Sequence, residues 1–386
     1  MSLKFGILGL GQCGGSIAEY AITKGFKAVV ANTAKVDLDQ IKYISNDCKL
    51  HLGGKGAGRS REIGQNTMIE NAEMVYNKCL EEFKDCDAVL VAASGGGGTG
   101  SGALPVAVDI LTSINKYVAA ILVLPEKSES PKSKMNTLEC FKQLTEIENL
   151  GSIFIIDNNK VKELHPTFSR KIIYSVANKQ IIDYLCQLNE LTDLPSYVSN
   201  FDASDLLSII EERGYTLISK SEYLIDKVEN EYELADRVRK SWENSYQPNF
   251  EGGQIVKGAI IGKIEEDASI NINPELIFQE TGMPYDFNDI YFYPEDTIFD
   301  NKKKNEIFTI LSGLSFPNGR LNEIEDQIKD VEDKLVINFN NSQNQTFNTE
   351  SWNSKFVRKQ PINLDLSQPT KKPKQIDVME KLNKYK

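Results

Sequence analysis

Ser94-Gly95-Gly96-Gly97-Gly98-Thr99-Gly100-Ser101-Gly102 lies between an apolar run, Ala88–Ala93, and a stretch with helical spacing, Leu104–Ile114. A flexible linker does not sit between a buried strand and a helix. Glycine at such a turn exposes backbone N–H groups and keeps side chains out of the way, and the helix N-terminus adds its dipole. A nest of this kind wraps a di- or triphosphate, with the Thr99 and Ser101 hydroxyls to help.

Reading outward, the N-terminal half alternates strand and helix patterns. Lys4–Leu8, Lys27–Ala31, Ala88–Ala93, Tyr117–Val123 and Ser152–Ile156 are strand candidates. Gly14–Lys24, Thr67–Glu82, Leu104–Ile114 and Met135–Thr145 are helix candidates. Continuous apolar strands separated by helices predict a parallel sheet covered on both faces, with ligands at the carboxyl ends of its strands. Thr167–Leu191 predicts a long helix, apolar around much of its circumference and buried between two parts of the chain. Beyond Asn200–Glu212 the segment to Trp242 reads as charged and helical. Ile255–Ile261, Ile290–Tyr293 and Ile307–Leu314 read as strands, and Leu321–Leu335 as a charged helix. From about Asn340 the chain is rich in Asn, Gln, Ser, Lys and Pro and reads as a mobile tail, with a short helix in Gln375–Lys384.

The expected fold class is α/β. A parallel-sheet domain with helices on both faces spans 1–166. A central helix and the loop after it occupy 167–215. A smaller α/β or α+β assembly domain follows at 216–340, and a tail at 341–386.

Composition narrows the function. The chain has 386 residues, 40% of them hydrophobic, and a net charge of −11, which disfavours a general nucleic-acid binder. Residues 368–386 carry six lysines against Asp377 and Glu380, a net +4, leaving −15 on the rest. No apolar run is long enough to span a bilayer, and the N-terminus does not read as a signal peptide. Six scattered cysteines without a C-x-x-C pair point to reduced thiols in a cytoplasm. With two histidines, His51 and His165, a His-rich metal site is excluded and no metal-ligating set is assigned.

Two further glycine loops follow. Gly9-Leu10-Gly11-Gln12-Cys13-Gly14 matches G-x-G-x-x-G after the first strand, which taken alone is a dinucleotide fingerprint. The second strand, however, ends in Asn32-Thr33, and the first acid beyond it is Asp37. Gly53-Gly54-Lys55-Gly56-Ala57-Gly58-Arg59-Ser60 imitates a P-loop with Arg59 where lysine belongs, and Asp47–Leu52 before it makes a poor buried strand.

Taken in order, these loops resemble the tubulin/FtsZ superfamily of polymerising GTPases. Gly95, Gly96, Gly97, Gly98, Thr99, Gly100 and Ser101 resemble its G-G-G-T-G-S-G signature. Gly11, Gln12, Cys13 and Gly14 resemble the first nucleotide loop of tubulins, and Asn32 the second loop. Gly56, Ala57 and Gly58 resemble the third, which senses the γ-phosphate. Leu124-Pro125 with Glu129 resembles the ribose loop, with Lys132 and Lys134 near but no arginine where FtsZ usually has one. Asp157-Asn158-Asn159-Lys160 resembles the base loop, with Asn158 at its Asn. Tyr174 and Asn178, on one helix face, resemble the residues that stack on the base and read its edge. Asn200, Asp202 and Asp205 in Asn200-Phe201-Asp202-Ala203-Ser204-Asp205 resemble the N-x-D-x-x-D catalytic loop, a pattern that also suits a helix N-cap.

The resemblance implies GTP/GDP and Mg2+ as ligands, head-to-tail filaments of this chain, and hydrolysis by a loop from the adjacent subunit. The basic tail is similar to that of the TubZ-type plasmid or phage segregation proteins, which implies a DNA-bound adaptor as partner, in a bacterial cytoplasm. No direct membrane contact and no sequence-specific nucleic-acid binding are expected. The competing readings are an FtsZ-like cell-division ring, a non-hydrolysing scaffold, and an NAD-dependent oxidoreductase using Gly9–Gly14.

Overall fold

Phe5–Leu10 is buried at every position, as a strand covered on both faces must be. This strand, β1, pairs in parallel with β2 (Lys27–Asn32) on one side and β4 (Ala88–Ser94) on the other. Next to β4 lie β5 (Tyr117–Leu124) and β6 (Ser152–Asp157), again parallel. The computed structural model describes residues 2–114, 116–194, 201–224, 230–250, 255–265, 288–293 and 304–342. Asn200, the helix expected in Gln375–Lys384 and the whole basic tail lie outside these residues.

Among the described residues the sheet has ten strands in the order β3-β2-β1-β4-β5-β6-β7-β10-β8-β9. The remaining strands are β3 (Lys49–His51), β7 (Gly214–Leu224), β8 (Lys257–Glu265), β9 (Asn288–Tyr293) and β10 (Lys304–Leu314). Strand β7 joins β6 in parallel and β10 antiparallel, so the C-terminal strands extend the first sheet rather than founding another.

The helices are α1 (Gly11–Ile22), α2 (Lys35–Gln40), α3 (Arg61–Glu70), α4 (Ala72–Glu82), α5 (Thr99–Leu111), α6 (Pro131–Thr145), α7 (Asn158–Leu164), α8 (Arg170–Leu191), α9 (Ala203–Glu211), α10 (Glu231–Glu243) and α11 (Asn318–Ser342). Every residue of α5 is buried, which places it at the centre of a covering layer. None of the described helices is long and apolar enough to cross a membrane. All six cysteines are free.

Several expectations change. Asp47–Leu52 does contain a strand: β3 pairs with β2 at the sheet edge, where a short strand suffices. The helix expected over Thr67–Glu82 is two, broken at Asn71, whose side chain donates to Leu52 O (2.9 Å) and Thr67 O (2.8 Å). The segment to Trp242 is not all helical, because β7 occupies its first part. Its charges mislead: Lys220 pairs with Glu222 at 3.0 Å and, across to β10, with Glu306 at 2.5 Å. On α8 the apolar surface is narrower than expected. Ile173, Ala177, Ile181, Ile182, Leu185 and Leu188 are buried, whereas Ile172 is exposed.

The course of α8 decides where everything after it lies. In its first half, Asn178 touches Cys13, just past the carboxyl end of β1 (Sγ to Oδ1 3.7 Å). Near its end, Asn189 binds both backbone groups of Leu3, before the amino end of β1 (2.8 Å each). The eleven residue steps between those contacts, at ~1.5 Å each, carry the chain about 16 Å from one end of the sheet to the other.

Candidate functional site

The glycine loops converge at the carboxyl ends of β1, β4 and β5. Gly11 adopts φ +67, and a Cβ there would stand 3.3 Å from Gly100 N, so the N-termini of α1 and α5 abut. Gly98 faces the third loop so closely that a Cβ would meet Ala57 Cβ at 2.8 Å and Ser60 N at 2.9 Å. The Asn136 side chain of α6 ties these together, donating to Arg59 O (3.0 Å), Gly97 O (3.3 Å) and Gly96 O (3.4 Å).

The convergence is electropositive by construction. Helices α3, α6 and α9 are capped by the side chains of Ser60, Ser130 and Asp202. Helices α1 and α5 have no side-chain cap and no acid in their first turns. Their orphan N–H groups and dipoles therefore meet in one cup, a site suited to phosphate.

The other expected residues distribute unevenly. The Asn32 amide is engaged locally, donating to Asp37 (3.0 Å) and accepting from Ala34 N (3.1 Å). The Thr33 and Thr99 hydroxyls meet at 2.6 Å. Ser101 is fully buried, with its hydroxyl turned back to Gly97 O and Gly98 O, so it shapes the loop from behind. Glu129 accepts from Glu126 N (3.1 Å) and from Ser133 Oγ (2.7 Å), beside Gly96.

Cys13, Tyr174 and Asn178 form the side of the cup toward α8. Asn178 accepts from the Cys13 thiol. Burial, with Glu129 adding to it, pushes the Cys13 thiol up to about 12; burial first, then Glu129 and Glu126, partly opposed by Arg170, push the Tyr174 phenol up to about 12. Both are neutral near pH 7, which suits an aromatic face and an amide set against an uncharged base. The Asn158 Oδ1, at the first position of α7 directly after β6, is buried and has no hydrogen-bond partner.

Asp202 and Asp205 are not in this cup. They form a reciprocal capping box at the head of α9: Asp202 Oδ1 accepts from Ser204 N (2.7 Å) and Asp205 N (3.2 Å), and Asp205 Oδ2 accepts from Asp202 N (2.9 Å). They follow α8, at the amino end of the sheet. The Ser204 hydroxyl, partly opposed by burial, and the backbone donors hold the Asp202 carboxyl below its ordinary value. Its cap contribution is therefore full above the unfolded value of about 3.9 and fades as pH falls through the lower folded value.

Three guanidinium groups lie near these loops, of which sequence reading singled out Arg59 alone and missed Arg170 and Arg320. Arg59, the one described non-glycine residue with positive φ (63), donates to Ser130 Oγ (3.3 Å). Arg170 donates to Ser128 Oγ (3.0 Å). Arg320 pairs with the base-loop Asp157 through Nε (2.7 Å) and Nη2 (3.2 Å). Lys134, one of the two lysines near the place of the missing arginine, is buried and donates to Lys127 O (2.7 Å). Arg170 and Arg320 come from distant parts of the chain, so no local motif announces them.

Residues 4–166 match the family model described as Tubulin/FtsZ family, GTPase domain. Residues 4–166 thus carry a GTPase domain of the tubulin/FtsZ family. It is similar to the tubulin-like protein CetZ of Pyrococcus abyssi, 31% identical over 248 residues that cover 62% of this chain and 66% of the relative. It is also similar to the tubulin-like protein TubZ of Bacillus cereus, 30% identical over 254 residues covering 61% of this chain and 58% of that one. The chain thus spans about two thirds or less of these relatives' length. In fold it resembles a GTPγS-form protofilament structure of Bacillus thuringiensis serovar israelensis TubZ, with TM-score 0.72 at 17% identity, covering 88% of this chain and 94% of that one.

Proposed function

We propose that this protein binds and hydrolyses GTP and assembles head to tail into filaments, with each active site completed by the next copy. The observation that carries this reading is the separation of the two halves of the chemistry. The phosphate cup lies at the carboxyl end of the sheet, and Asp202 and Asp205 lie beyond its amino end, past the ~16 Å run of α8. No single copy can bring these carboxylates to its own cup, whereas stacked copies bring one copy's α9 loop onto the next copy's cup. There a carboxylate can orient water against the γ-phosphate. Asn200 is assigned to the same loop by resemblance alone.

Magnesium would enter with the triphosphate. Among the described residues the one Cys/Asp/Glu cluster of metal-binding spacing is Asp47, Cys48 and Glu82, away from the cup, and Lys78 already pairs with Asp47 (3.2 Å) and Glu82 (2.9 Å). The cup supplies the hydroxyls of Thr33 and Thr99 and no carboxylate cage, which fits an ion held mainly by phosphate oxygens and water.

For the cargo we favour plasmid or phage DNA, carried through an adaptor on the basic tail in the bacterial cytoplasm. This rests on the TubZ likeness and on the net +4 of residues 368–386. An adaptor capture assay with and without those residues tests it; equal capture by both forms rejects the tail as the docking segment.

Right-angle light scattering with phosphate release tests the core of the proposal. GTP with magnesium should give a rise that decays as phosphate appears, and ATP or NADH should give none. Phosphate release that stays strictly proportional to protein concentration, with no rise in scattering, would reject activation by assembly.

A further inference from the structure

The base loop is held from the far end of the chain. Arg320, on the first turn of α11, meets Asp157 across 163 positions of sequence, and both side chains are nearly sealed from solvent (9% and 3% exposed). The contact is two-pronged, Nε to Oδ2 at 2.7 Å and Nη2 to Oδ1 at 3.2 Å. Nη2 also donates to Pro125 O (2.9 Å), at the start of the loop that carries Glu129. One planar guanidinium therefore spans the base loop, the ribose loop and α11, a geometry an ammonium cannot reproduce.

Asp157 is fixed from its other side as well, because Oδ1 accepts from Asn159 N (3.0 Å) as the cap of α7. Between those two anchors sits Asn158, with its Oδ1 buried and unpartnered. A buried acceptor without a donor is costly, and a ligand N–H would satisfy it. Guanine offers N–H donors on its edge, including the 2-amino group that hypoxanthine lacks.

We propose that Arg320 is a positioning residue for base selection: by clamping Asp157 it sets the place of Asn158, and α11 thereby becomes part of the nucleotide site. This rests on the reading of the glycine cup as a guanine-nucleotide site. It gives α11 a direct connection to the bound base, because displacing α11 from α6 would withdraw the clamp.

The test is calorimetric titration of the full chain with GDP, IDP and ADP, which isolates base recognition from assembly and hydrolysis. The proteins compared are wild type, Arg320→Lys, Arg320→Met and the double variant Asp157→Asn/Arg320→Met, which leaves no unpaired buried carboxylate. Wild type should prefer GDP to IDP. Arg320→Met and the double variant should narrow that preference by about tenfold, and Arg320→Lys by less. Circular dichroism identifies the variants that fold. A GDP/IDP ratio within twofold of wild type in any folded methionine variant, or a wild-type ratio near one, overturns the assignment of Arg320. Absence of GDP binding by wild type instead overturns the nucleotide reading on which it rests.

Discussion

Asp202→Asn is expected to leave GDP affinity within about twofold and to lower GTP turnover by roughly 100-fold or more, the usual scale for removing a group that orients or deprotonates the nucleophile. Filaments should form with GTP and persist. Asparagine is the informative replacement because it caps a helix about as well as aspartate. It can keep accepting from Ser204 N and Asp205 N while the charge is lost. Alanine at the same position would confound the result, since loss of a cap costs about 1 kcal/mol. Steady-state phosphate release and sedimentation of polymer, compared with wild type at equal concentration, decide the matter. Wild-type turnover in Asp202→Asn would assign Asp202 to the cap alone and leave Asp205 as the carboxylate to examine.

The second large effect contrasts two glycines of the cup. A Cβ at Gly14 would lie 2.1 Å from Ala92 O, so Gly14→Ala must drive α1 away from β4. Ala92 O is a backbone atom and the Cβ is fixed to its own Cα, so neither can swing aside. The cost should reach the upper end of overpacking, ~3 kcal/mol or more, measurable by urea unfolding. A Cβ at Gly97 would meet nothing within 4 Å, and its φ is ordinary. Gly97→Ala should therefore fold with stability within about 0.5 kcal/mol of wild type. If the open space is where phosphate approaches the α5 N-terminus, the methyl group should still weaken GDP at least about tenfold, or 1.4 kcal/mol. Wild-type GDP affinity in Gly97→Ala would move the phosphates to another part of the cup.

These two experiments separate what each half of the site does. The first removes a carboxylate that, on the proposed function, reaches its target only in a neighbouring copy. The second narrows a cup that exists in a single copy. A protein that loses binding in Gly97→Ala but loses only turnover in Asp202→Asn behaves as two half-sites joined by assembly.

The sequence by itself determined the elements whose causes are local. A glycine run between an apolar strand and a helix has one effective use, because the missing Cβ and the free N–H groups belong to the same few residues. The parallel order of β1, β2, β4, β5 and β6 was legible for the same reason: strands buried on both faces are apolar through their central residues. Elements stabilised by distant partners were not legible. Strand β3 is three residues at an edge, and the charges of β7 find their partners on β10. Only the tertiary structure decided that Asp202 and Asp205 stand at the opposite end of the sheet from the cup, because that follows from the direction in which α8 crosses β1. It also decided that Arg320 closes on Asp157, since an ion pair across 163 positions leaves no periodicity or spacing in the chain to read.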